Sequence, residues 1–188
     1  MMIRPARAID AEAIAAIYDP IVRDTYISFE GTPPTADEMR SRIAATLADY
    51  PWLVADEGGR VAAYAYAGQH RSRDAYRWSC DVSVYVAETA QRRGHAVALY
   101  GGLLAILTRQ GLANAYAGIA LPNAASVALH ERAGFEAVGV YRNVGFKNGS
   151  WRDVGWWGIA LNALGPSPHE PTSFAELRKS VPTIDTPS

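Results

Sequence analysis

Val82-Ser83-Val84-Tyr85-Val86, then Gln91-Arg92-Arg93-Gly94-His95-Ala96, then Val97-Ala98-Leu99-Tyr100-Gly101-Gly102-Leu103-Leu104-Ala105-Ile106-Leu107 form the stretch on which the fold turns. The first run is β-branched and aromatic and reads as a strand; the last is apolar over a helical length. A short basic loop with a glycine near its tip lies between them. A strand, a basic loop and a helix start are good geometry for holding a pyrophosphate. The loop N–H groups converge, the helix N-terminus is partly positive, and two arginines stand by. No Gly-Lys-Ser/Thr closes the loop, so it is not a Walker loop, and it is not the Gly-x-Gly-x-x-Gly dinucleotide turn either. Taken alone it reads equally well as a solvated connection, so its surroundings decide.

Those surroundings are ordinary in bulk. The chain has 188 residues, 49% hydrophobic and 20% charged, with a net charge of −1. This length suits one domain with a core of its own. The charge gives no reason to expect nucleic acid or an anionic membrane as partner. One cysteine, Cys80, leaves no internal disulfide and fits a reducing cytosol. The N-terminus lacks the apolar core of a signal peptide and no apolar run reaches membrane-span length, so a cytoplasmic location is expected.

Working outward, Ile3 to Arg7 reads as a first strand, and Asp10 as the cap of a helix striped by Ile14, Ile17, Ile21 and Val22. Pro20 predicts a kink or early break there. Thr25 to Pro34 is a loop with Tyr26, Phe29 and Glu30. Thr35-Ala36-Asp37-Glu38 is a capping box before a helix carrying Met39, Ile43 and Leu47 on one face. Trp52 to Ala55 and Arg60 to Ala67 form a hairpin around Glu57-Gly58-Gly59. After a polar link, Gln69 to Asp74, comes a strand from Arg77 to Val86, then the basic loop and a helix to about Gln110. Ala113 to Ala120 is a strand, Asn123 can cap a helix from Ala124 to Ala133, and Gly134 stops it. Phe135 to Tyr141 and Val154 to Leu161 close the sheet. The order β-α-α-β-β-β-α-β-α-β-β predicts an α/β (α+β) domain over residues 1–162. Residues 163–188 are rich in proline and read as a C-terminal tail.

Read together, these pieces resemble the GNAT superfamily of N-acetyltransferases. Gln91-Arg92-Arg93-Gly94-His95-Ala96 matches its Gln/Arg-x-x-Gly-x-Gly/Ala loop. Leu121-Pro122-Asn123-Ala124-Ala125-Ser126 with Leu129-His130-Glu131-Arg132-Ala133-Gly134-Phe135 matches its second signature, at the right distance and in the right order. A finer resemblance, to the phosphinothricin and methionine sulfone N-acetyltransferase branch, runs through Tyr50-Pro51-Trp52-Leu53-Val54-Ala55 and Arg73-Asp74-Ala75-Tyr76-Arg77-Trp78. It ends in Gly145-Phe146-Lys147-Asn148-Gly149-Ser150-Trp151-Arg152-Asp153-Val154-Gly155. The resemblance implies a mixed, mostly antiparallel sheet flanked by helices, acetyl-CoA as cosubstrate, a small amino-acid-like acceptor, direct transfer in a ternary complex, a role in detoxification, and a homodimer.

It also implies site residues. Gln91, Arg92, Arg93, Gly94, His95 and Ala96 would wrap the pyrophosphate, with Asn123 and Ser126 completing the cofactor site. His95 stands where the family has a small or apolar residue, and either faces outward or contacts phosphate. The backbone N–H near Tyr85 or Val86 would steady the oxyanion where the family's strand splays, and Val84, Tyr85 and Val86 would lie against the cofactor. Asp81 falls where the family carries a glutamate base. It is one methylene shorter, and the alternative is a salt bridge with Arg71, Arg73 or Arg77. His130, where most relatives have tyrosine, would lie near the CoA sulfur as acid or be a packed helix histidine. Arg71 and Arg73 suit an anionic acceptor, with Phe29, Tyr26 and Trp78 as walls and Lys147 reaching the site or a neighbour's. Cys80 reads as a buried thiol, and His70 and His169 show no metal-ligand spacing, so no metal is expected. Two competing readings keep part of this: an enzyme of the same fold for a polyamine, drug or protein N-terminus, and a non-catalytic acyl-CoA-binding module.

Overall fold

The computed structural model describes residues 1–180. One seven-stranded sheet organises it. Its strands are β1 (Met2–Pro5), β2 (Trp52–Glu57), β3 (Arg60–Gln69), β4 (Ser79–Val86), β5 (Asn114–Leu121), β6 (Glu136–Lys147) and β7 (Ser150–Ala160), in the spatial order β1-β2-β3-β4-β5-β7-β6. Every pairing is antiparallel except β4 with β5. The helices are α1 (Ala11–Asp24), α2 (Ala36–Asp49), α3 (His95–Arg109), α4 (Ala124–Arg132) and α5 (Phe174–Ser180).

Strand alternation sorts the sheet into two faces. Leu53, Ala55, Ala63, Ala65, Ala67, Cys80 and Val82 meet Leu99, Tyr100, Leu103 and Leu107 of α3. The run of alanines in β3 lets that helix lie close. The opposite face carries Trp52, Val54 and Tyr64 against Ile14, Ile17 and Val22 of α1 and Met39 and Ile43 of α2. Aromatic rings tile it: Trp52 stacks on Tyr66 at 4.3 Å, and Tyr85 meets Tyr64 at 5.3 Å and Tyr18 at 5.0 Å.

Several local expectations take a different form. Pro20 lies inside an unbroken α1, on its exposed side, so its missing hydrogen bond leaves the carbonyl of exposed Ala16 facing water. Asp10 does not cap α1. Its carboxylate takes Arg4 through two bonds of 2.7 and 2.8 Å, with Asp56 completing a buried triad. The Thr35 capping box forms as read, as does the Asn123 cap. The closing strands are longer than expected and form one hairpin, because Asn148-Gly149, with φ of 52° and 75°, makes the tight turn between them. The segment read as a tail is folded up to Ser180. Phe174 and Leu177 of α5 are buried in the α3-side core, and Ser173 and Glu176 cap its start. Trp78 Nε1 donates to the His169 carbonyl at 2.8 Å, and Arg77 grips Glu170 through two bonds of 2.7 Å.

Candidate active site

The site begins where the one parallel pairing ends. Ser79, Cys80 and Asp81 of β4 pair with Asn114, Ala115 and Tyr116 of β5, and nothing beyond them does. From there the strands diverge into a crevice of about 50 Å³, lined by Val82 to Tyr85 on one side and Ala117 to Ala120 on the other. Asn123, Ser126, His130, Tyr100 and Ile27 close it. The Ala87 N–H bonds back to Ala62 of β3, so alternation aims the amides of Val84 and Val86 toward the crevice. These are peptide donors at an opened sheet edge. The Tyr85 amide has the parity of Ala87 and turns to β3, and its side chain goes to the aromatic face, so Tyr85, expected among the oxyanion donors, offers the crevice none.

At one end lies the basic loop. Arg92 (φ 60°) and Gly94 (φ 86°) are both left-handed, and α3 starts at His95. Left-handed residues before a helix N-terminus turn successive N–H groups inward, an anion-binding concavity. Arg92 and Arg93 are exposed and make no ion pair among the described residues. His95 does neither thing expected of it: it is 2% exposed, and its Nε2 lies 2.8 Å from Glu57 Oε1 on β2. It ties the helix start to the β2–β3 hairpin, and its Nδ1 is buried without a partner.

His130 is sealed under the crevice. Its Nδ1 is 2.7 Å from the Ser126 carbonyl, which can only accept, so that nitrogen carries the proton. Nε2 then accepts from Tyr100 Oη at 2.8 Å. Burial pushes the imidazole below its ordinary value.

Asp81 occupies the fork itself. None of the arginines holds it tightly: Arg77 is on Glu170, Arg73 is exposed and unpaired among the described residues, and Arg71 stands at 4.0 Å. Its close partner is His70, whose Nδ1 lies 2.6 Å from Asp81 Oδ1. Burial raises the Asp81 carboxyl above its ordinary value, with His70 and Arg71 opposing. In the sequence His70 stands in a polar link without metal-ligand spacing, and nothing there marks its partner. Gly68 pairs with Asp81 across β3 and β4, which puts a residue just past the strand end within reach of the carboxylate.

The loop 25–34 covers the same face. Lys147 Nζ donates to the carbonyls of Val22 (2.7 Å), Ser28 (2.6 Å) and Glu30 (2.8 Å), spending all three of its protons. Glu30 in turn holds Arg42 bidentately and takes Tyr18 Oη. Phe29 lies flat over Gly145, and Tyr26 donates to the Pro122 carbonyl beneath the guanidinium of Arg152. Lys147 therefore clamps the loop rather than reaching a ligand or a neighbour. Trp78, expected as a wall of the acceptor site, is spent on the C-terminal segment. Tyr116, Trp156 and Tyr76 surround His70 instead, with Arg71 over Trp156 at 5.4 Å.

A forked parallel strand pair beside a basic left-handed loop has known counterparts. The sequence profile of the acetyltransferase (GNAT) domain matches residues 3–156. The chain belongs to the GNAT acetyltransferase family. It is an N-acetyltransferase, and 41% identical over 155 residues to the phosphinothricin N-acetyltransferase of Streptomyces viridochromogenes, covering 82% of this chain and 85% of that one. It is 35% identical to an L-methionine sulfoximine/L-methionine sulfone acetyltransferase of Pseudomonas paraeruginosa, covering 88% and 98%. The crystal structure of a GNAT phosphinothricin acetyltransferase from Sinorhizobium meliloti, in complex with acetyl-CoA, superposes with a TM-score of 0.84 at 33% identity, covering 92% and 97%.

Within the GNAT frame, the residues read from the sequence fall into two groups. Val84, Asn123, Ser126 and His130 line the crevice, Asp81 stands at the last parallel pair before it, and Gln91 to Gly94 form the loop between β4 and α3. Asn123 is there as the α4 cap, its Oδ1 accepting from Ser126 N–H at 3.1 Å. Phe29 lies against Gly145, Arg71 stands near Asp81 and Trp156, and Arg73 is exposed, while His95, Lys147 and Trp78 hold elements in place.

Proposed function

We propose that this chain moves the acetyl group of acetyl-CoA to the amine of a small amino-acid analogue of the phosphinothricin, methionine sulfoximine or methionine sulfone class, directly within a ternary complex. The observation that carries this reading is the fork at Asp81, with the anion-binding loop at one end and arginines on the acceptor side. The residues present fit acetyl-CoA. The concavity around Arg92 and Gly94, with two guanidiniums that make no ion pair among the described residues, suits a pyrophosphate, and the amides of Val84 and Val86 suit an extended polar chain and a thioester oxygen. When bound, it supplies an activated acyl carbon. The chain's own groups do the rest. Asp81 places negative charge where an ammonium must lose a proton, directly or through the imidazole it holds. Arg71 and Arg73 attract the acceptor's acidic head. Tyr100 lines the crevice wall with its hydroxyl proton given to neutral His130 Nε2, so the departing sulfur takes its proton from the amine that attacks. Transfer of this kind would detoxify such amino-acid analogues in the cytoplasm.

A second copy completes this reading. β6 is a twelve-residue edge strand whose Val138, Val140, Tyr141, Val144 and Phe146 are exposed beside Trp151 of β7. An apolar edge of that length invites pairing, and a homodimer would cover it.

The test is thiol release from acetyl-CoA with a panel of acceptors. Turnover confined to phosphinothricin, methionine sulfoximine and methionine sulfone supports the reading. Turnover only with a polyamine or a peptide overturns the acceptor assignment and leaves the fold and cosubstrate standing. Acetyl-CoA binding without turnover on any acceptor would leave a binding module.

A further inference from the structure

We propose that His70, aimed by Asp81, is the group that takes the proton from the acceptor ammonium, so that the base of this enzyme is an imidazole–carboxylate pair rather than a lone carboxylate. The inference rests on the acetyl-transfer reading above and assigns one of its steps to a residue.

Three observations carry it. First, the contact is short and oriented: an ionised carboxylate only accepts, so at 2.6 Å from Asp81 Oδ1 the His70 Nδ1 carries the proton and Nε2 carries the lone pair. Second, Nε2 has no hydrogen-bond partner among the described residues, and it is not among the sealed, unpartnered atoms, so beside Asp81 it keeps access for a ligand or water. Third, the ring is built in. It lies 4.9 Å from Tyr116 and is met edge-on by Trp156 at 6.0 Å and Tyr76 at 5.9 Å, which fixes its plane beside the fork. The titratable and charged groups around it are Asp81 from β4, Tyr116 from β5, Tyr76 from the short helical turn before β4, and Arg71 next in the chain.

The chemistry favours the pair. An amino-acid ammonium holds its proton at neutral pH, and a base works best when its own pKa lies near the operating pH. An imidazole titrates near neutrality, a carboxyl well below it. Asp81 is short for direct reach, and the imidazole extends it. In the step itself, His70 Nε2 takes one proton from R–NH3+. The freed amine attacks the thioester carbon, forming the C–N bond as the C–S bond breaks. The nitrogen then loses a second proton; one of the two ends on the thiol of CoA, directly or by exchange, and the other leaves to solvent through His70.

The experiment compares wild type with His70→Asn, His70→Phe and Asp81→Asn. Asparagine can still donate to Asp81 from its amide but has nothing at the Nε2 position, and phenylalanine keeps the aromatic packing. Both His70 variants are expected to fold, by thermal melting, to bind acetyl-CoA as wild type does, and to lose about 100-fold in kcat/KM at pH 7. The acid limb of their pH profile moves to lower pH, where a carboxylate alone titrates. Asp81→Asn loses a similar factor, and the double variant little more. His70→Asn within about threefold of wild type, with its acid limb in place, overturns the proposal and leaves Asp81 as the base. Nitrogen-15 NMR of the His70 ring needs no acceptor, so it separates this failure from failure of the acetyl-transfer reading. A neutral ring protonated on Nδ1 is expected, and protonation on Nε2 overturns the pair whatever the acceptor panel shows.

Discussion

Single side chains here act mostly by what they are tied to. Lys147 illustrates this: the sequence suggested a ligand role for its ammonium, yet its three protons go to two carbonyls of the loop that carries Phe29 and to one near the end of α1. Lys147→Met should therefore lower the unfolding free energy by about 1–3 kcal/mol and raise the acceptor KM, with the acetyl-CoA KM unchanged. Denaturant melts and steady-state kinetics with each substrate varied would check it. His130 makes a second point. Its imidazole is held below its ordinary value by burial, so the unfolded chain binds a proton that the folded one refuses. The associated stability is fully present above the unfolded pKa, near 6.5, and is lost as pH falls below it. Wild type should thus lose stability more steeply between pH 6.5 and pH 5 than His130→Gln does, in parallel urea titrations. At this scale the sequence named Asp81 and His130 by pattern. It could not name His70, because nothing in a polar link announces which carboxylate its imidazole will meet.

Elements position these residues through their ends and their close approaches. Gly145 on β6 lies against Phe29, and a Cβ there would come within 2.2 Å of the ring. Gly145→Ala must push the loop outward, costing about 1–3 kcal/mol and weakening acceptor binding more than acetyl-CoA binding. Equilibrium unfolding and calorimetric titration with each ligand would show it. At α5 the signal was present but outweighed: Ser173-Phe174-Ala175-Glu176 has the spacing of a capping box, set among prolines that suggested a tail. Phe174→Ala should cost about 3–5 kcal/mol, since the ring is fully buried against the α3-side core. A free tail would show no change. Asn148-Gly149 was likewise legible as a tight turn, and the hairpin it makes supplies both Lys147 and the apolar edge.

At the scale of the whole molecule, one long edge strand is left uncovered. If a second copy covers it, Val138→Lys with Phe146→Lys should halve the mass seen by sedimentation velocity, with each chain still folded by circular dichroism. A wild-type sedimentation coefficient already matching the monomer would remove the dimer from this account.

Alternation, caps and glycine placement are local properties, so the succession of elements through β4, the basic loop, the start of α3 and the Asn123 cap could be read without the fold. The two spaced motifs were enough to indicate the family. Tertiary structure decided what depends on elements far apart in the chain. It divided β4 from β5 just past Asp81, turned His95 onto Glu57, gave Lys147 to the loop 117 or more residues before it, and folded α5 over the core. A residue's type limits the bonds it can make, and only the packed chain brings one particular partner within hydrogen-bond distance.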